Sequence, residues 1–207
     1  MLAQARGDYD TAELRYTEAL EIFERLGNQA GLASSNHQLG MLAQERGDYY
    51  EAELRYTQSL EIKERLGDQA GPASSYHGLG TLAQLRGDYE TAEQRYTQAL
   101  EIFERLGNQV GVASIYNNLG MLAQERDDEQ AIGYDLRALA IWMQMGDERA
   151  TFSLQRLARA RSRLGAKGFM RIAAQSLDAA SLDTLTQLLD QVKSPRRWWW
   201  HGRGRGG

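Results

Sequence analysis

The sequence predicts an all-α chain, a solenoid of antiparallel helix hairpins closed by a helical C-terminal cap. Three observations predict it. The chain repeats itself every forty residues: Gly7, Gly47 and Gly87, each followed by Asp and Tyr, keep the same step as Tyr16, Tyr56 and Tyr96. Residues 1–40 match 81–120 at about three-quarters of positions. Within each copy, apolar and small residues recur at three- and four-residue steps, the spacing of one helix face. Glycine and Asn/Asp pairs separate these stretches, and the 207 residues contain only two prolines. One helix pair cannot hide such a stripe, but stacked copies bury it continuously, which is the physical reason for repetition.

Met1 aligns with Met41 and Met121, so the chain opens inside the first helix of a copy, with only "MLAQAR" of it. That edge is expected to expose apolar surface. Either upstream sequence has been lost or another copy of the chain covers it.

In each full copy the first helix is expected from Asn28 or Asp68 to Gln44 or Gln84, and the second from about Tyr49 to Leu66. Gly27, Gly67 and Gly107 follow the last turn of the second helix, where a left-handed residue is needed. Asn28, Asp68 and Asn108 then supply N-cap oxygens. The "RGD" turn between the two helices is short enough to force them antiparallel. In the second helix Tyr49, Ala52, Tyr56, Ser59, Leu60 and Leu66 form the stripe that meets a neighbour. Leu39-Gly40, Leu79-Gly80 and Leu119-Gly120 mark the closest approach in the first helix. Glycine there costs up to about 1 kcal/mol of helix propensity, so a packing reason is expected.

Downstream the pattern degrades. "DDEQAIGYDLRALAIWMQMGD" keeps Ala131, Ala138, Leu139, Ile141 and Gly146 in order but drops a residue and loses the Gly-Asp-Tyr turn. A further helix is expected over 148–164, carrying Arg156, Arg159, Arg161 and Arg163. Gly165 and Gly168 bracket a break, and helices near 169–176 and 181–192 follow before Pro195. The expected organisation is a repeat array over 1–157, capping helices over 158–193 and a disordered basic tail over 194–207, rich in Trp, Gly and Arg.

Composition excludes several classes. Without cysteine there are no disulfides, no thiol catalysis and no cysteine-ligated metal. The lack of a long apolar run or a signal-peptide pattern makes a cytoplasmic protein the default. Residues 1–145 carry 12 Lys/Arg against 23 Asp/Glu, and residues 146–207 carry 12 against 5. A basic end can meet nucleic acid or anionic lipid, with Trp198 to Trp200 stacking or inserting, so those partners are assigned to the tail only; a solvated, disordered end is the favoured reading.

No phosphate-binding glycine loop, zinc-protease or nucleophile-elbow motif is present, and no enzymatic activity and no cofactor are expected. The Glu21/Arg25 and Glu61/Arg65 spacings read as surface ion pairs.

The residues Leu39-Gly40, Gly47-Asp48-Tyr49, Ala52, Tyr56 and Ser59, with Ala19 and Ala99 in the sister copies, resemble the tetratricopeptide repeat in its longer variety of about forty residues. Kinesin light chain, Pins-type adaptors and many bacterial signalling proteins use that variety. The resemblance covers roughly residues 1–157 and implies a right-handed α-α superhelix. Two positions depart from it. An aromatic expected early in the first helix is Asn36 in one copy, against Tyr76 and Tyr116 in the others. Lys63 stands where Phe23 and Phe103 stand, so that site is either partly exposed or filled by the lysine's methylene stem.

In the first helix Ser34, His37, Gln38, Met41, Gln44 and Glu45 share a mostly polar face, away from Asn36, Leu39 and Ala43. Their counterparts are Ser74, His77, Thr81 and Gln84, then Ser114, Asn117, Asn118, Met121, Gln124 and Glu125. The resemblance implies that such faces line a concave groove holding an extended peptide, and Asn118 matches the asparagine with which such adaptors hold a ligand's backbone. Amide side chains both donate and accept, so they can pair with peptide groups of any sequence, while methionine gives adaptable apolar contact. The expected partner is a peptide or protein segment bound by a scaffold within a larger signalling or regulatory protein, with self-association through the N-terminal edge as the alternative. The groove shows no Lys/Arg cluster for a C-terminal carboxylate.

His37 and His77 occupy equivalent positions, yet two zinc ligands must lie within about 2.1 Å of one ion while packed helices sit about 8–10 Å apart. No metal site is expected.

Overall fold

The computed structural model describes residues 9–126 and 128–192. The elements among them are all α-helices: α1 (Tyr9–Arg25), α2 (Gln29–Arg46), α3 (Tyr49–Arg65), α4 (Gly71–Leu85), α5 (Tyr89–Arg105), α6 (Gln109–Glu125), α7 (Gln130–Met145), α8 (Ala150–Ala173) and α9 (Ala179–Val192). They fall into two compact units, Met1–Ile115 and Tyr116–Gly207. The apolar edge expected at Met1 and the tail over 194–207 lie outside the described residues.

In the first unit each helix packs on the next, α1 on α2 through α4 on α5. The hairpin turn is built as its residues require. Gly47 adopts φ 79°, and the Gly47 and Asp48 N–H groups donate to the Gln44 and Ala43 carbonyls, closing the end of α2. Asp48 then accepts from the Glu51 N–H at 3.1 Å and starts α3, as Asp88 does from Thr91 for α5. Asn28 and Asn108 cap α2 and α6 through the Gly31 and Gly111 N–H groups, as expected.

The second copy departs from its sisters at the same place. Asp68 still accepts from Ala70 and Gly71, but α4 begins only at Gly71, whereas α2 and α6 begin at Gln29 and Gln109. Pro72 is the cause: it has no N–H, and further inside a helix its ring would strike the carbonyl four residues back, so it is confined to the first turn.

Burial follows the stripe. Ala52, Tyr56 and Leu60 of α3 pack with Ala43 of α2 and with Leu79 and Leu82 of α4. The first-helix glycines are seats for rings. A Cβ on Gly40 would come 2.8 Å from the Tyr56 ring, and one on Gly80 would come 2.7 Å from the Tyr96 ring. Gly78 approaches the Tyr56 ring from the neighbouring copy, at 2.7 Å for such a Cβ. Burying an aromatic side chain gains about 1.5–3 kcal/mol, which outweighs the helix-propensity cost of glycine. The arginine of each turn reaches back one copy. Arg46 pairs with Asp10 and Glu13, and Arg86 pairs with Glu53 and the Tyr49 carbonyl. Arg25 donates to the Glu21 main-chain carbonyl rather than forming the expected side-chain pair.

In the second unit α7, α8 and α9 close around Ile132, Leu136, Leu139, Leu157, Phe169, Ile172, Leu185 and Leu189. The break expected between Gly165 and Gly168 is at Gly165 alone, with φ 71° and ψ 160°, and helix resumes at once on its far side. With the dropped residue allowed for, Asp135 stands where Tyr96 stands and Trp142 where Phe103 stands. Asp135 is buried over Gly120, just as Tyr96 is over Gly80. Arg156 donates to it from Nε at 2.8 Å and Nη2 at 2.6 Å. Burial pushes the Asp135 carboxyl above its usual range, against the pull of that guanidinium.

Candidate functional site

In the first unit the first-helix face separates as its periodicity requires. Ser34 and Glu45 are exposed and His37, Gln38, Met41 and Gln44 half-buried, while Asn36, Leu39 and Ala43 on the other side are buried. On α4, Ser74, His77, Thr81 and Gln84 are all half-buried, as is Ser114 on α6. In the second unit Asn117 and Asn118 are half-buried, and Met121, Gln124 and Glu125 are exposed.

Several of these side chains already have work to do. Gln44 Oε1 accepts from the Tyr56 hydroxyl at 3.1 Å, and Gln84 Oε1 from the Tyr96 hydroxyl at 2.8 Å. Gln38 accepts from Tyr16 at 3.4 Å, and Thr81 Oγ1, which donates to the His77 carbonyl, lies 3.3 Å from the Tyr96 hydroxyl oxygen. In the second unit the corresponding Gln124 turns its amide round and donates to Asp135 Oδ2 at 3.0 Å, because a carboxylate has replaced the tyrosine. The glutamines read from sequence as ligand contacts are therefore also pins between the two helices of a hairpin. Asn117 Nδ2 lies 3.8 Å from Met121 Sδ on the same exposed face.

The histidines rest on tyrosines. His37 lies 5.3 Å from the Tyr56 ring centre and His77 lies 6.1 Å from that of Tyr96. His37 Nδ1 is buried with no hydrogen-bond partner. Burial, with Lys63 and His77 nearby, lowers the His37 pKa to about 4, and burial lowers that of His77. Both rings are thus neutral near pH 7, able to accept a proton or a hydrogen bond but carrying no charge.

Beneath this face lies a cation that stood out in the sequence only as a lysine in a phenylalanine column. Lys63 is 8% exposed, and its Nζ donates to Ser74 Oγ at 3.3 Å and Ser75 Oγ at 3.2 Å. Ser75 donates on to Ser59, which donates to the Ala33 carbonyl at 2.8 Å. Of the two alternatives left open for this position, the methylene stem fills the site. Its Cδ lies where a Cβ on Gly71 would come within 2.9 Å, so Lys63 takes over Gly71 the place that the Phe23 and Phe103 rings take over Gly31 and Gly111. The signal was the single Lys in a Phe column. Its depth could not be read from one chain.

Comparison with known proteins agrees with this architecture. The tetratricopeptide repeat model matches residues 1–65, 31–105 and 71–144. No curated protein sequence matches the chain. Among solved structures, BtubC (BKLC) from P. vanneervenii is similar at 25% identity and a TM-score of 0.74, over 100% of this chain and 81% of that one. A putative kinesin light chain from Podosopora anserina with nearly identical TPR-like repeats is similar at 16% identity and a TM-score of 0.66, over 95% and 92%. A Rap protein complexed with Competence and Sporulation Factor is similar at 16% identity and a TM-score of 0.69, over 94% of this chain and 56% of that one. Three overlapping matches spanning residues 1–144, on hairpins that seat a tyrosine over a first-helix glycine, establish that the chain belongs to the tetratricopeptide repeat family.

Proposed function

We propose that the polar first-helix face binds an extended peptide or protein segment, and that the chain serves as a scaffold rather than a catalyst. Tetratricopeptide repeats are in general protein-interaction modules, and the Rap neighbour was solved in complex with Competence and Sporulation Factor. One observation carries the reading for this chain. The face presents amide, hydroxyl, imidazole and thioether groups from the successive first helices α2 and α4, exposed or half-buried, above a core of Leu39, Leu79, Leu82 and the seated tyrosines. Gln44 and Gln84, pinned by Tyr56 and Tyr96, are fixed before any ligand arrives. A disordered segment docking there bears most of the ordering cost alone.

The test is a peptide selected from a random library against the full chain, then titrated into single-site variants. Ser34→Arg and Glu45→Arg place bulk on the exposed face of α2 and should each weaken binding about tenfold or more without changing the melting temperature. Thr97→Arg, exposed on a second helix, is the control. Selected peptides that bind both blocked variants as tightly as the parent would remove the face from consideration.

A further inference from the structure

The first copy lacks a side chain that the second copy has, and the vacancy keeps the surroundings of the missing group. Tyr76 on α4 lies in a surface slot between the second helices on either side. Its hydroxyl donates to Glu64 Oε1 on α3 at 2.8 Å, and the Arg95 guanidinium on α5 stands 5.7 Å from the ring centre. In the second unit Arg137 stands over the Tyr116 ring in the same manner, at 5.5 Å. Forty residues before Tyr76 the chain has Asn36, with Glu24 and Arg55 in place of Glu64 and Arg95.

Asn36 does not fill the space a ring would take. Its Nδ2 donates to the Leu32 carbonyl at 3.1 Å, which folds the short side chain onto its own helix, and its Oδ1 accepts from Arg55 Nη1 at 3.1 Å. Arg55 is held from its other side by Glu51 at 2.7 Å. A cavity of about 290 Å³ is left, lined by Leu20, Glu24, Leu32, Asn36, Arg55 and Ile62 among others. Leu20, Leu32 and Ile62 give it an apolar side, and its more extensive polar lining includes Gln58, the cations Arg55 and Arg65 and the carboxylates Glu24 and Glu61. Because it lies on the Asn36 side of α2, away from Ser34, His37 and Met41, it is separate from the polar face proposed above.

The geometry points to a second binding site here, one that accepts the phenol side chain of a tyrosine presented by a protein partner. The ring is received by Leu20, Leu32 and Ile62 with the Arg55 guanidinium against its face, and the hydroxyl donates to Glu24. The hydroxyl and guanidinium contacts have their counterparts in the filled slot one copy on, where the occupant belongs to the chain itself. The carboxylate selects a hydroxyl donor over a plain phenyl ring, and the arginine favours an aromatic over an aliphatic occupant.

The test is titration of N-acetyl-tyrosinamide into the full chain, followed by amide and arginine side-chain resonances. The expected result is saturable shifts at residues of α1, α2 and α3, with a dissociation constant on the order of 1 mM, as suits a single side chain. N-acetyl-phenylalaninamide should bind about fivefold more weakly, and Glu24→Gln should shrink that difference without altering the melting temperature. Asn36→Tyr should fill the slot from within, abolish the shifts and raise the melting temperature. No saturable shift in the parent chain, equal shifts in Asn36→Tyr, or equal affinity for the tyrosine and phenylalanine probes would overturn the assignment.

Discussion

Replacing Lys63 by phenylalanine should stabilise the chain by about 1–3 kcal/mol. The reasoning starts from what the lysine now bears. Its ammonium group is taken out of water, and its two partners, Ser74 and Ser75, are neutral hydroxyls. Desolvating an ion costs several kcal/mol, while a net hydrogen bond returns about 0.5–1.5 kcal/mol, so two of them leave a deficit. Burial accordingly lowers the Lys63 pKa, against the opposing pull of the nearby Asp68 carboxylate. A phenylalanine would remove that deficit and add apolar burial, and space exists because Gly71 matches Gly31 and Gly111 beneath Phe23 and Phe103. Neither serine is orphaned, since Ser74 still donates to the Gly71 carbonyl at 2.9 Å and Ser75 to Ser59. Urea unfolding followed by circular dichroism measures the difference, and melting should rise by roughly 2–4 °C per kcal/mol for a chain of this size. A pH series supplies a second reading. Because the folded-state pKa of this base is depressed, the unfolded chain holds the extra proton, so wild-type stability should climb as pH rises toward the ordinary lysine value of 10.5. The advantage of the variant should shrink over the same range. A Lys63→Phe chain that keeps its helicity but unfolds at lower urea would refute the reasoning.

Other perturbations test other contacts. Arg156→Ala should cost about 3–5 kcal/mol in urea unfolding, because it leaves the Asp135 carboxyl buried without its cation; a loss below about 1 kcal/mol would mean the pair contributes little. Gly80→Ala should destabilise by about 1–2 kcal/mol, since a Cβ would stand 2.7 Å from the Tyr96 ring, and a gain in melting temperature would show that the ring is not seated there. His37, with its pKa depressed to about 4 from 6.5, should contribute stability that is whole above pH 6.5 and lost as pH falls toward 4, on the order of 3 kcal/mol. Unfolding of His37→Gln and the parent at pH 7.5 and pH 4.5 measures it, with Lys63 and His77 the basic groups that face the ring, and parallel pH dependence in both chains would count against the assignment.

What could be read from the letters was whatever repeats or acts locally. The forty-residue period located the helices from Tyr9 to Glu125 and the glycines that end them, because a left-handed turn and an N-cap oxygen are properties of a few consecutive residues. The three- and four-residue spacing likewise separated Ser34 and His37 from Leu39 and Ala43, since helix geometry alone decides which residues share a face. Even the departures at Asn36 and Lys63 stood out against their sister copies. Their meaning did not. Whether Lys63 lies in water or over Gly71, whether Gln44 is spare or pinned by Tyr56, and whether the place opposite Asn36 is filled or open all depend on helices that meet across different parts of the chain. Asp135 shows the same limit most sharply. It sits in a tyrosine column shifted by one residue, and only packing brings Arg156, 21 positions away, to answer its charge. Periodicity says which way a side chain points; the distance between helices, set by every side chain at once, decides what it meets.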